Sequence, residues 1–244
     1  MLKKVSSRVR KFWAALALLS VEMTIVLTLF IGALLLFVYM IQRVFLLHNN
    51  RFDEKVFAYL NNHVSNKNNQ LMVFFTYLGR HEFLIPANLL LIAYFLFIKK
   101  HKWYSIKVPA IAISSLALMF GLKSLFDRNR PLVPLLEKAR GLSFPSGHAL
   151  MSVTFYGLII YIVFKSVQNR SIKWTLISLL LLLILIIGFS RIYLRVHYAS
   201  DVIAGFCVGL LWLVICVWTL NKLEKYSMQK LNPVVQPPSA ENDS

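Results

Sequence analysis

Residues Ser190 to Asp201 read SRIYLRVHYASD and separate two continuous apolar runs, 174–189 and 202–220. Ionisable groups held at the edge of hydrocarbon are costly, which makes them functional candidates. If the end of this stretch is helical, His197 and Asp201 share one face. Asp201 would then hold one imidazole nitrogen, fix the tautomer and leave the other nitrogen of His197 free to attack. Two more polar clusters interrupt the apolar pattern: KSLFDRNRP, Lys123 to Pro131, and FPSGH, Phe144 to His148. Lys123, Arg130 and Arg191 supply three cations, enough to neutralise a phosphate and the charge on its equatorial oxygens in a transition state. Pro145, Ser146 and Gly147 form a tight turn at a helix start, which aims backbone N–H groups and the Ser146 hydroxyl at an anion. His148 is placed to protonate a leaving oxygen as general acid, with His197 as nucleophile. These are the parts for phosphoryl transfer. No carboxylate cluster or Cys/His metal spacing accompanies them, so the expectation is metal-independent chemistry with no cofactor.

The elements that must position these groups are membrane helices. Hydrophobic residues make up 58% of the 244-residue chain, charged residues 15%, and mean hydropathy is +0.63. That composition belongs to the membrane class. A net charge of +17 is explained by basic groups flanking apolar runs, and nucleic acid is set aside as a partner. Six spans can be drawn: Trp13–Ile41, Phe83–Ile98, Val108–Leu122, Ala149–Phe164, Trp174–Phe189 and Val202–Leu220. The N-terminus resembles the charged start of a signal peptide, but the run behind it is far longer than a signal segment and reads as a retained helix. Cys207 and Cys216 read as small apolar residues of the last run.

Dense basic clusters at helix ends place both termini in the cytoplasm: residues 1–12 as a basic N-terminus, 222–244 as a tail with a disordered end. Parity then puts all three polar clusters on the outer face. In the first outer loop, 42–82, the spacing of Phe52, Val56, Tyr59 and Leu60 predicts one or two interfacial helices. Arg128, Lys138, Arg140 and Arg195 are assigned to interfacial snorkelling or headgroup contact and left out of the catalytic set. Arg80, His81 and Glu82 read as structural pairing or as groups at a substrate entry. Glu22 reads as an interfacial group.

Taken together the clusters resemble the type-2 phosphatidic-acid phosphatase family, the lipid phosphate phosphatases, whose site is shared with vanadium haloperoxidases. Lysine, six residues, then Arg-Pro matches Lys123, Arg130 and Pro131. Pro-Ser-Gly-His matches 145–148. Ser-Arg, five residues, His, three residues, Asp matches Ser190, Arg191, His197 and Asp201. The resemblance covers about residues 83–220 and implies a phosphohistidine intermediate at His197, His148 as acid, and a lipid substrate taken from the outer leaflet.

The expectation is therefore an all-α, six-transmembrane-helix bundle. It would act as a metal-independent phosphoric or diphosphoric monoester hydrolase on a lipid phosphate such as phosphatidylglycerophosphate, phosphatidic acid or undecaprenyl diphosphate. The rivals are a lipid phosphotransferase on the same site and a non-enzymatic transporter or lipid-binding protein.

Overall fold

The computed structural model describes residues 21–136 and 141–230. Its elements are α1 (Val21–Ile41, continued by a π-helical turn Gln42–Leu46), α2 (Arg51–Asn61), α3 (Asn66–Tyr77) and α4 (His81–Ala93, continued by Tyr94–Ile98). They are followed by α5 (Lys102–Phe126), α6 (Gly147–Ser166), α7 (Arg170–Tyr193) and α8 (Ala199–Lys230). The described residues contain no strand. Six helices are long and apolar enough to cross a membrane, namely α1, α4, α5, α6, α7 and α8.

The spans run past the apolar segments that announce them. α4 starts at His81, α5 runs from Lys102 to Phe126 and α7 begins at Arg170. Polar residues at the ends serve the helices as caps and interfacial anchors. The Asn169 side chain, for example, accepts from the Ile172 N–H at the start of α7. α8 continues through Lys222 and Lys225 to Lys230, well beyond the expected end at Leu220. The side chains of Glu22, Lys138 and Arg140 lie outside the described residues.

Most spans keep much of their apolar surface outward, toward lipid, whereas α6 and α8 are the most buried. These two meet through glycine. A Cβ on Gly205 would sit 2.6 Å from the Ser146 backbone oxygen, and one on Gly209 would sit 2.9 Å from that of Leu150. Only hydrogen fits at either position, so the backbones approach as small residues allow between membrane helices. α6 also packs on α7, α1 lies against α8, and α5 borders α4, α6 and α8.

Four phenylalanines fasten the long connection between α5 and α6. Phe144 is fully buried, with ring centroids 5.0 Å from Phe126, 5.1 Å from Phe45 and 6.3 Å from Phe37. This ties the FPSGH turn to α1 and to the end of α5. At the opposite end of the bundle, Lys107 is buried. Its Nζ donates to Glu224 Oε2 and Asn221 Oδ1, both at 2.6 Å.

The first loop forms two helices, and both dock on the bundle. α3 lies against α7, where the Tyr193 hydroxyl donates to Asn69 Oδ1 at 2.9 Å.

Candidate active site

The three clusters converge at one end of the bundle. α5 ends where Asp127 takes a left-handed conformation, φ 42°, and the turn sends Arg128 and Arg130 back toward α8. Lys123, in the last turn of α5, donates from Nζ to the Leu142 carbonyl. Arg130 donates from Nε to the Gly141 carbonyl and from Nη1 to the Val196 carbonyl, each at 2.8 Å. Its Nη1 also lies 3.1 Å from His197 Nε2. Arg191, in the last turn of α7, donates from Nη1 to Thr76 Oγ1 of α3 at 2.6 Å.

The start of α6 sits directly on this group. The Ser146 N–H donates to the Asp201 carbonyl at 2.9 Å, beside the Gly205 contact. Ser146 occupies the N-cap position, yet its hydroxyl makes no capping bond. The first N–H groups of a helix lack intrahelical partners, and with the helix dipole they favour an anion. A Cβ on Gly147 would lie 2.6 Å from Met119 Sδ, so that thioether would have to move. The His148 ring packs against α7 and the end of the first loop: a Cβ on Gly79 would lie 2.6 Å from Ile187 and 3.2 Å from His148 Cδ2.

His197 is 1% exposed and lies in the turn between α7 and α8, not on a helix; only Asp201 is helical. The face-sharing expected from their spacing is therefore corrected. His197 Nδ1 is 3.5 Å from Asp201 Oδ2, and the Ser143 hydroxyl stands beside both. It donates to Asp201 Oδ2 and lies 3.3 Å from Nδ1. Arginine can only donate, so Nε2 facing Arg130 is the acceptor and Nδ1 carries the proton. That proton points at Ser143 and Asp201, and Nε2 presents its lone pair to the cationic side.

Electrostatics agree with this tautomer. Burial, opposed by Asp201 and assisted by Arg130 and Arg191, lowers the His197 pKa from 6.5 to about 3, which keeps the imidazole neutral. Burial likewise lowers the Arg130 pKa, with Asp201 opposing it.

Among the described residues, four buried side-chain polar atoms have no hydrogen-bond partner: Ser115 Oγ, Ser146 Oγ, His148 Nε2 and Arg191 Nε. Three of the four belong to residues nominated from sequence. Such atoms are rare in folded proteins and ask for a reason.

Several contributors were not foreseen. Arg128, assigned to snorkelling, is instead largely enclosed, with its side chain 10% exposed. It donates from Nη1 to Asp201 Oδ1 at 2.5 Å and from Nη2 to Asp53 Oδ2 at 3.0 Å. The two carboxylates pair the guanidinium there, which offsets the cost of desolvating it. Asp53, Thr76 and Ser143 also escaped. Only the fact that KSLFDRNRP offers more cations than the site's pattern needs pointed toward Arg128. Arg80, by contrast, pairs with Glu82 at 3.1 Å near the mouth, half exposed.

A family model described as the PAP2 superfamily matches residues 103–225. Phosphatidylglycerophosphatase B of Bacillus subtilis (strain 168) is 31% identical over 145 residues, covering 59% of this chain and 70% of the relative. An undecaprenyl-diphosphatase of Sulfolobus acidocaldarius is 30% identical over 167 residues, covering 66% and 75%. Among solved structures, a transmembrane PAP2-type phosphatidylglycerolphosphate phosphatase from Bacillus subtilis matches with a TM-score of 0.70 at 25% identity, covering 82% of this chain and 98% of that one. LpxE of Aquifex aeolicus matches at 0.54 and 28% identity, covering 67% and 93%. Helical architecture, sequence match and shared structure converge: this chain belongs to the PAP2 superfamily and is an integral membrane phosphatase.

Proposed function

We propose that the chain removes the terminal phosphate of a membrane lipid phosphate or diphosphate through a phosphohistidine at His197. The observation that carries this is the set of buried, unpartnered atoms Ser146 Oγ, His148 Nε2 and Arg191 Nε, contributed by two helices around the lone pair of a neutral imidazole. A phosphate seated there accepts from Ser146, Arg191, Lys123, Arg130 and the first N–H groups of α6. Doing so draws the Arg130 guanidinium from Nε2 onto phosphate oxygen and frees the nucleophile.

His197 Nε2 then forms a bond to phosphorus as the P–O bond to the leaving group breaks. His148, whose protonated form the bound phosphate's negative charge favours, gives its Nε2 proton to the departing oxygen. The imidazole, now carrying phosphorus on Nε2 and hydrogen on Nδ1, is cationic and is stabilised by Asp201 through Ser143. In the second half, neutral His148 takes a proton from water, the water oxygen attacks phosphorus, and the P–N bond breaks to return His197 and release inorganic phosphate. The cations occupy the role that a metal serves elsewhere, which supports a metal-independent reaction.

A lipid substrate is favoured by the names of the relatives, phosphatidylglycerophosphatase B and undecaprenyl-diphosphatase, and by a site at the end of membrane helices. Loop charge supports an outward-facing site with cytoplasmic termini. The test is phosphate release by the purified protein in excess EDTA, from lipid monophosphates, lipid diphosphates and a soluble ester, with H197A alongside. EDTA-resistant release from a lipid, abolished in H197A, is expected. Phosphate passed only to an added lipid or sugar acceptor would replace hydrolysis with transfer, and no turnover with any of them would overturn the reading.

A further inference from the structure

Arg128 is 10% exposed, and its two partners, Asp53 and Asp201, are 3% and 0% exposed. The guanidinium bridges them, one nitrogen on each carboxylate. Its Nη1 also donates to Ser200 Oγ at 2.8 Å, and its Cζ lies over the Tyr198 ring, 4.1 Å from the centroid. Asp53, from the first turn of α2, accepts from the Ser200 N–H at 2.9 Å and the Ser200 hydroxyl at 2.7 Å. It thus caps the N-terminus of α8, the helix that carries Asp201, from another part of the chain.

Two carboxylates and one guanidinium leave a single negative charge in a dry site. Asp201 Oδ1 is taken by Arg128, while Oδ2 accepts from Ser143 and from the Tyr198 N–H at 3.0 Å. The titratable or charged groups around His197 are Asp201 from α8, Arg130 and Arg128 from the α5–α6 connection, and Lys123 from α5. His148 of α6, Arg191 of α7 and Tyr198 complete the set.

We propose that Arg128, held by Asp53 of the first loop, is a positioning residue for the reaction. It keeps Asp201 ionised and leaves the Nδ1 proton on His197, and the Asp53–Arg128–Asp201 set balances the imidazolium of the phosphorylated enzyme with one negative charge. The inference rests on His197 being the nucleophile. Without the guanidinium, two buried carboxylates face each other uncompensated, and such pairs relieve repulsion by taking up a proton. His197 is then the nearest base, so its titration moves upward, and Asp201 loses the contact that holds it in place. Without Asp53, Arg128 and Asp201 form a neutral pair and the phosphohistidine cation loses its counter-charge.

The charge arithmetic gives variants of opposite signature. In detergent-purified protein labelled with 15N-histidine, the His197 ring nitrogens are titrated and phosphate release is profiled against pH. R128Q is expected to raise the His197 titration by about one pH unit or more and, with Asp201 no longer held in place, to lower kcat by about tenfold or more with KM nearly unchanged. D53N is expected to lower kcat without any upward shift. The double variant D53N/R128Q restores one net negative charge, so its His197 titration should return toward wild type. R128K should recover part of the kcat lost in R128Q.

A His197 titration that stays in place in R128Q, or a double variant shifted as far as R128Q alone, would overturn the proposal. Should R128Q not yield folded protein, D53N and R128K decide it: an upward shift in D53N, or a shift in R128K as large as loss of charge predicts, counts against. Wild-type turnover and its loss in H197A test the phosphatase reading separately, because the 15N titration reports the charge set with or without turnover.

Discussion

Ser143 stands between His197 Nδ1 and Asp201 Oδ2, atoms that are 3.5 Å apart and too distant for a good direct hydrogen bond. The hydroxyl accepts from one and donates to the other, so it transmits the orientation that the carboxylate imposes. S143A should lower kcat by about tenfold with little change in KM, measured as lipid phosphate hydrolysis beside wild type. The neutral imidazole has its own signature in stability. The folded His197 pKa, about 3, lies below the ordinary 6.5, so the unfolded chain binds the extra proton. The contribution is present above pH 6.5 and lost as pH falls from there toward 3; thermal midpoints should decline over that window, and H197Q should lose part of the slope. At this scale the sequence displayed the residues proposed to face phosphate, because each cluster lies within a dozen positions and at a helix mouth. It did not display Ser143, Thr76 or Asp53, whose partners lie 58, 115 and 147 positions away. Such contacts exist only once the chain is folded.

Elements decide how the clusters meet. α6 and α8 are brought together by hydrogens on Gly205 and Gly209, and the Ser146 carbonyl lies in that seam. G205L should separate the start of α6 from Asp201. Overpacking of this kind costs about 1–3 kcal/mol, but the expected effect on activity is larger than the effect on stability, because the displacement falls on the proposed phosphate site. Comparing residual hydrolysis with the thermal midpoint of the same sample checks this. The six spans were legible from apolar runs, and their ends were not. Hydropathy falls at Lys102, Arg170 and Lys222 although the backbone remains helical, because helix continuation depends on hydrogen bonding and flanking charge rather than on apolarity. The two loop helices were legible as helices, but not as parts of the site.

The whole molecule has two polar ends separated by apolar packing. At the end away from the site, Lys107 is 3% exposed and anchored by Glu224. Removing one partner of a buried pair strands the other charge and costs about 3–5 kcal/mol. E224Q should therefore lower the thermal midpoint clearly while leaving kcat per folded molecule unchanged. Orientation belongs to this scale as well. Leu132 is 91% exposed beside the site; L132C in a background without Cys207 and Cys216 should react with an impermeant thiol reagent in intact cells. Protection until the cells are broken would reverse the proposed topology.

The match to the superfamily begins at residue 103, yet Asp53 and Thr76, both earlier in the chain, clamp Arg128 and Arg191. A fragment reduced to 103–225 would retain every group proposed to touch phosphate and lose two of the groups that hold them still. The front segment, whose first-loop helices dock on α7 and α8, is therefore also a brace for the proposed site. Exchanging it between relatives to transplant substrate preference alters turnover at the same time, unless the donor segment brings its own carboxylate and hydroxyl to the same two arginines.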